Sequence, residues 1–311
     1  MARTALLPDW PPARARALRA SLRRGEIAPR LHYETAAQAR KWLAVHRRWS
    51  PAAAARGRRF YAAALARVAR GCRGETRVVS LGCGGGAKDL LLLRALRARG
   101  CRAEYVPCDV AAPLVARAAA ACRRAAPLGC RPVVADLGRA RQLACRLAAL
   151  PRPRMPRLLL FLGMLPNLAP GAARRVLRAI LRPGDTLVAS ANLLPPGPRA
   201  PRRVMAQYDN AETRAWLLEL PRALGWPAGE GALRFRWGRD PEWRALRRVE
   251  ARYRAKGAPG LLLFSSRRHA PSQLRAFARA LGIRSPSLVL ARARDEGLAW
   301  GTARPENGRA R

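Results

Sequence analysis

Lysine is almost missing from this sequence: three of its 61 basic residues are lysine (Lys41, Lys88, Lys256), and only 19 acids oppose them, leaving a formal charge of +42 over 311 residues. The charge is therefore arginine, spread from end to end among alanine, proline and glycine. A polyanion site is normally a patch or a stripe. A uniform spread points to compositional bias, with non-specific, salt-sensitive affinity for nucleic acid as its consequence. Paired cysteine motifs are missing too. The seven cysteines (Cys72, Cys83, Cys101, Cys108, Cys122, Cys130, Cys145) are odd in number and contain no C-x-x-C, which excludes a zinc ribbon or a disulfide framework. As free thiols they behave as small hydrophobes, and a cytoplasmic, reducing compartment is the expectation. The three histidines, His32, His46 and His269, show no metal-ligand spacing. No run approaches the roughly 18 to 20 apolar residues that span a bilayer. The longest, Leu158 to Leu165, is strand-sized, so no membrane partner is expected. The amino terminus shows no hydrophobic signal core, and export is not expected.

What is present is enough apolar sequence for a sizeable core: half the residues are hydrophobic. From Ala13 to Arg70 apolar residues recur at helical spacing, with a break expected near Pro51. After Gly71 short apolar runs alternate with amphipathic segments, the signature of βαβ units and a mostly parallel sheet. Strands are expected at 77–81, 103–108, 132–135, 158–162 and 186–191. Helices are expected at 88–99, 113–125 and 171–181, the last with Val176, Leu177, Ile180 and Leu181 opposite Arg174, Arg175, Arg178 and Arg182. The proline-rich stretch Leu194-Pro-Pro-Gly-Pro-Arg-Ala-Pro201 interrupts the alternation, and a helical, tryptophan-containing cap is expected beyond it. The alternation resumes at Leu261, with a helix near 272–281 and a terminal hairpin from 287–291 and 297–301.

The chemistry begins at Val78-Val-Ser-Leu-Gly82-Cys-Gly84-Gly-Gly86-Ala-Lys88-Asp89. Glycines where a strand becomes a helix let a ligand approach the backbone and the helix amides. The turn also fits the dinucleotide fingerprint G-x-G-x-x-A, so NAD and S-adenosylmethionine both remain open on this motif alone. Asp109, just past the second strand, occupies a crevice position where a carboxylate accepts from both hydroxyls of a ribose. The third strand also ends in an acid, Asp136-Leu137, suited to an adenine amino group and ring face.

These segments, together with Leu160-Phe-Leu-Gly-Met-Leu-Pro-Asn167, Leu181-Arg-Pro-Gly184-Asp185 and Tyr208-Asp209-Asn210, stand in an order and spacing that resembles the histidine-specific S-adenosylmethionine-dependent methyltransferase family. The resemblance runs from about Leu81 to Gly301. It implies a doubly wound, mostly parallel α/β sheet of class I methyltransferase type with an N-terminal helical region and a helical cap insertion. It favours S-adenosylmethionine over NAD and assigns Gly82, Gly84, Lys88, Asp109, Asp136 and Leu137 to the cofactor, with Lys88 near the methionine carboxylate. Asn167 and Tyr208 match positions that hold the amino and carboxylate groups of an amino-acid substrate, and Ser266 matches a serine that recognises its side chain. Three features depart from the family pattern: Ser80 replaces the acid that precedes the glycine turn, Phe264 stands where a glutamate would face an imidazole, and the family's amino-terminal tyrosine pair is replaced by the neighbourhood His46-Arg-Arg-Trp49-Ser-Pro51. No catalytic base is evident.

The implied organisation is an N-terminal helical region over 1–74, a cofactor-binding core over 75–193, a helical cap over 194–258, and a C-terminal part over 259–311 that completes the sheet. The expected function is N-methylation of an amino acid or related small amine. The arginine load keeps two alternatives open: an RNA methyltransferase, and a catalytically degenerate nucleic-acid-binding protein on the same fold.

Overall fold

The structure is a computed structural model that describes residues 10–50, 52–254 and 260–304. Among the described residues there are ten strands: β1 Glu75–Leu81, β2 Arg102–Asp109, β3 Val133–Val134, β4 Arg157–Leu162, β5 Thr186–Asn192, β6 Leu233–Arg239, β7 Arg247–Tyr253, β8 Leu261–Arg268, β9 Ser287–Leu290 and β10 Glu296–Thr302. The chain divides into two compact units, one of Ala54–Pro195 with Arg268–Arg311 and one of Met1–Ala53 with Pro196–Arg267.

The first unit is built on a seven-stranded sheet of order β3-β2-β1-β4-β5-β10-β9. Strands β1 to β5 are parallel, and β10 runs antiparallel to both β5 and β9. This is the doubly wound, mostly parallel α/β sheet expected from the sequence. Every residue of β4, Arg-Leu-Leu-Leu-Phe-Leu, is buried, which is why the run is continuous and does not alternate: helices cover both faces of a parallel sheet. Crossover helices at Ala87–Arg97, Ala112–Cys122, Ala140–Ala148 and Pro170–Ile180 supply that cover. In the last of these Val176, Leu177 and Ile180 are buried while Arg174, Arg175 and Arg178 are exposed, as their spacing requires. Strand order reverses between β1 and β4, so a crevice opens where their carboxyl ends diverge. At the opposite, amino-terminal end of the sheet Arg157 donates from Nε to Asp185 Oδ1 at 2.8 Å and from Nη2 to the Ile180 carbonyl at 2.8 Å, locking β4 to the entry of β5.

In the second unit helices Pro12–Arg24 and Ala36–Trp49 accompany short helices at Ala200–Met205, Ala211–Leu217 and Glu219–Ala223 and a three-stranded sheet β6-β7-β8. The N-terminal region already breaks after Arg24, at the left-handed Gly25, and helix Ala36–Trp49 is followed by the next from Ala55; Pro51, where the sequence places a break, lies outside the described residues.

Two expectations differ from what is found. The stretch 194–258 is not helical throughout, because β6 and β7 pair antiparallel across seven register positions. Their sequences, Leu-Arg-Phe-Arg-Trp-Gly-Arg and Arg-Arg-Val-Glu-Ala-Arg-Tyr, carry a two-residue alternation that abundant arginine obscures. Three of these arginines are held by two buried acids, Glu250 and Asp240. Glu250 accepts from Arg236, Arg248 and Arg252, whose charges pull its pKa down to about 2 against the cost of burial. Asp240 accepts from Arg267 Nε at 2.6 Å. Part of the arginine excess is thus structural. The second difference concerns the C-terminal part. Strand β8 belongs to the three-stranded sheet, and only the β9–β10 hairpin joins the seven-stranded one.

Candidate active site

The turn after β1 is pinned to the end of β2. The backbone N–H groups of Gly82 and Cys83 both donate to the Cys108 carbonyl, at 2.8 and 3.0 Å. Gly84 N–H then donates to Asp109 Oδ2 at 3.1 Å, and Ala111 N–H to Oδ1 at 3.1 Å. Asp109 therefore ties the glycine turn to the start of the next crossover. Burial raises its carboxyl pKa, and the backbone donors of Ala111, Gly84 and Val110 oppose the rise. An ionised carboxylate has about four acceptor sites, so with three backbone donors in place about one remains for a ribose hydroxyl. The turn has to be glycine for reasons of packing as well: Gly82 has φ +73°, and a Cβ there would lie 2.3 Å from Met164 Sδ.

Helix Ala87–Arg97 leaves this turn with Lys88 and Asp89 in its first turn. Lys88 points its ammonium over the Tyr61 ring, 4.4 Å from the centroid. Close to the ammonium as well is Gly163, directly after β4, whose φ is +79° and whose imagined Cβ would fall 3.2 Å from Lys88 Nζ. A side chain at 163 and the ammonium compete for one space. Gly163 is gripped at both ends of its peptide: its N–H donates to Ser190 Oγ at 2.9 Å, and its carbonyl accepts from Asn167 Nδ2 at 3.4 Å. Asn167 closes a single turn of 3-10 helix, Leu165–Asn167. Gly82, Gly84, Lys88, Asp109 and Asn167 thus gather at the carboxyl ends of β1, β2 and β4. Asp136, beyond β3, caps a short 3-10 helix by accepting from Gly138 N–H at 2.8 Å, and Leu137 is buried in the hydrophobic core.

Four residues at this site were not singled out from the sequence: Asp89, Tyr61, Ser190 and Glu296. Asp89 is buried and accepts from Tyr105 Oη at 2.5 Å and from Ser80. Ser80 is thus bonded to a buried acid one helical turn beyond the glycines. Burial pushes the Asp89 carboxyl up to about 6, against the Tyr105 and Ser80 hydrogen bonds and the Lys88 charge. Tyr61 donates to Glu296 and lies 3.1 Å from Ser190 Oγ. A visible signal existed for Glu296: Asp295-Glu296 is an adjacent acid pair in an acid-poor chain.

Tyr208 and Ser266 belong to the second compact unit, where Tyr208 Oη donates to Ser266 Oγ at 2.7 Å. Ser266 lies on β8, and Phe264, two residues before it on the same strand, sets its ring 6.0 Å from that of Tyr208 and 5.6 Å from that of Trp216. Position 264 therefore adds an aromatic surface and no acceptor. In the same unit burial holds His32 neutral, its pKa lowered to about 4, and its Nε2–H donates to the Leu263 carbonyl at 2.7 Å. All seven cysteines are free thiols. Burial pushes Cys108 and Cys122 up to about 12, far from a reactive thiolate. Among the described residues no cluster of His, Cys, Asp and Glu could hold a metal ion, and no helix is long and apolar enough to cross a membrane.

The family described as histidine-specific methyltransferase, SAM-dependent, matches residues 59–258. A histidine N-alpha-methyltransferase of Mycobacterium tuberculosis (strain CDC 1551 / Oshkosh) is 35% identical over 150 residues, which are 47% of this chain and 43% of that protein. The match thus spans less than half of the relative's length. Similar solved structures include a putative methyltransferase from Thermobifida fusca YX (13% identity, 87% of this chain and 90% of that one, TM-score 0.46). Another is human N-acetylserotonin methyltransferase in complex with SAM (13% identity, 94% of this chain and 67% of that one, TM-score 0.42). With a family match extending over well more than half of its length, this chain belongs to the histidine-specific, S-adenosylmethionine-dependent methyltransferase family.

Proposed function

We propose that this protein transfers a methyl group from S-adenosylmethionine to the nitrogen of an amino acid or related small amine. The observation that carries the reading is the Asp109 carboxylate, which braces the Gly84 amide at the β1–β4 switch point while keeping acceptor capacity for a ribose. The donor set suits the cofactor: Lys88 for its carboxylate, Asp109 for its sugar, Asp136 with Leu137 for its adenine, and a close backbone at Gly82 and Gly84. When bound, the cofactor supplies a methyl group on a sulfonium. The protein's share of the reaction is to align the acceptor in line with that group and to exclude water.

Asn167 and Tyr208 suit the amino and carboxylate groups of a zwitterion, because an amide and a phenol orient charge without ionising. An amine must be unprotonated to attack, and no residue of this chain is assigned as its base. Phe264 offers an imidazole N–H nothing to bond, so the acceptor in this reading is an amino acid or small amine other than histidine. Turnover measured as S-adenosylhomocysteine release across free amino acids, small amines and RNA tests it. The expected result is turnover with a small amine in the absence of polyanion. Turnover with RNA alone would replace this reading by an RNA methyltransferase, and none with any acceptor would leave a binding protein.

A further inference from the structure

We propose that Glu296, held by the Tyr61 hydroxyl, is the built-in counter-charge of Lys88, a positioning residue that keeps the ammonium protonated and aimed at the cofactor carboxylate. The inference rests on the functional reading above and adds to it a residue pair that no motif contains.

The geometry is a closed set of contacts within the sheet unit. Glu296 opens β10 and is 4% exposed; Tyr61, on helix Ala55–Ala69, is 1% exposed and donates to it. The face of the same Tyr61 ring carries the Lys88 ammonium 4.4 Å from its centroid, a cation–π contact that strengthens when desolvated. Ser190, at the end of β5, lies against the Tyr61 hydroxyl and accepts from Gly163 N–H, and Gly163 leaves the space that Lys88 Nζ fills. One phenol thus touches both charges, with its ring on the cation and its hydroxyl on the anion.

A buried lysine is costly to keep charged, and burial does lower the Lys88 pKa; Glu296 is the largest influence restoring it, followed by Asp89 on its own helix. Glu296 in turn faces Lys88, Asp295 and Arg268 besides Tyr61. A carboxylate brought in by a ligand would be repelled by Glu296 if Lys88 were neutral and attracted if it were charged. The pair therefore makes carboxylate binding depend on the protonation of one lysine, and Glu296 moves that dependence to higher pH.

The test is calorimetry of S-adenosylhomocysteine binding from pH 6.5 to 10 for the wild type, Glu296→Gln and Tyr61→Phe, with 5′-methylthioadenosine, which lacks the carboxylate, as control. Glutamine still accepts from Tyr61, and phenylalanine keeps the ring under Lys88. The expected result is that the pH at which affinity falls drops by about one unit or more in Glu296→Gln, equivalent to about tenfold weaker binding at the affected pH. Tyr61→Phe shifts it in the same direction and carries the test alone if the first variant does not fold. The control ligand should show no shift. Profiles of both variants that superimpose on the wild type overturn the proposal while leaving the cofactor reading intact. No S-adenosylhomocysteine binding by the wild type at any pH overturns both.

Discussion

Replacing Asp89 by asparagine should make the sheet unit more stable at neutral pH, by an amount that depends on pH in a defined way. Asp89 is 2% exposed and its carboxyl pKa is raised to about 6 by burial, against an ordinary value of about 3.9. A carboxyl whose folded pKa lies above its unfolded pKa contributes stability that is fully present below about pH 4 and is lost as pH rises through about 6. The loss is roughly two pKa units at about 1.4 kcal/mol each, or about 3 kcal/mol. Asparagine has nothing to titrate and retains a carbonyl oxygen for the Tyr105 hydroxyl. The difference in stability between variant and wild type should therefore grow by about 3 kcal/mol between pH 3 and pH 7 and then level off. Other titrating groups cancel in that difference. Native-state hydrogen exchange of the β1 and β2 amides reads the opening of this unit directly. A difference that stays constant from pH 3 to pH 7 would refute the assignment of Asp89 as a buried carboxyl held against its solvation.

Three further outcomes are expected. Gly163→Ala forces a methyl group into a left-handed backbone and against the Lys88 ammonium; it should cost about 1–2 kcal/mol of stability and weaken cofactor binding at least several-fold by calorimetry. Asp185→Ala strands the buried Arg157 guanidinium and should destabilise the sheet unit by about 3–5 kcal/mol in urea unfolding. Below its transition the same variant should bind cofactor as the wild type does, since the pair sits at the far end of the sheet. Tyr208→Phe removes the donor to buried Ser266 and should raise KM for the acceptor without changing the dissociation constant for S-adenosylmethionine, in steady-state kinetics paired with calorimetry.

The parts of the fold written in local pattern were legible before any coordinates. The glycine turn after β1, the acid after β2 and the amphipathic helix Pro170–Ile180 each depend on neighbours within a few residues, and the structure places them as their spacing implies. Strands β6 and β7 were hidden because arginine at alternating positions resembles a solvated helix face until Glu250 and Asp240 are seen to neutralise it. The partition of β8 was hidden for a different reason. A strand's own sequence does not say which of two sheets it joins, and Leu261–Arg268 is apolar enough for either. At the site the unread residues are those whose meaning comes from long-range contact. Tyr61 and Glu296 are 235 positions apart in the chain, and Tyr61 alone looks like part of a packing face. Asp89 is adjacent to Lys88 in sequence, yet its service to Ser80 becomes visible only when the helix folds back on β1.

The central claim is that the β1 turn and Asp109 form a cofactor site separate in function from the residues that hold the acceptor. Calorimetric titration of S-adenosylmethionine into the wild type, Asp109→Ala and Asn167→Ala tests it most directly. Loss of binding in Asp109→Ala, with wild-type affinity and impaired turnover in Asn167→Ala, is the predicted result. Equal cofactor affinity in the two variants would contradict it.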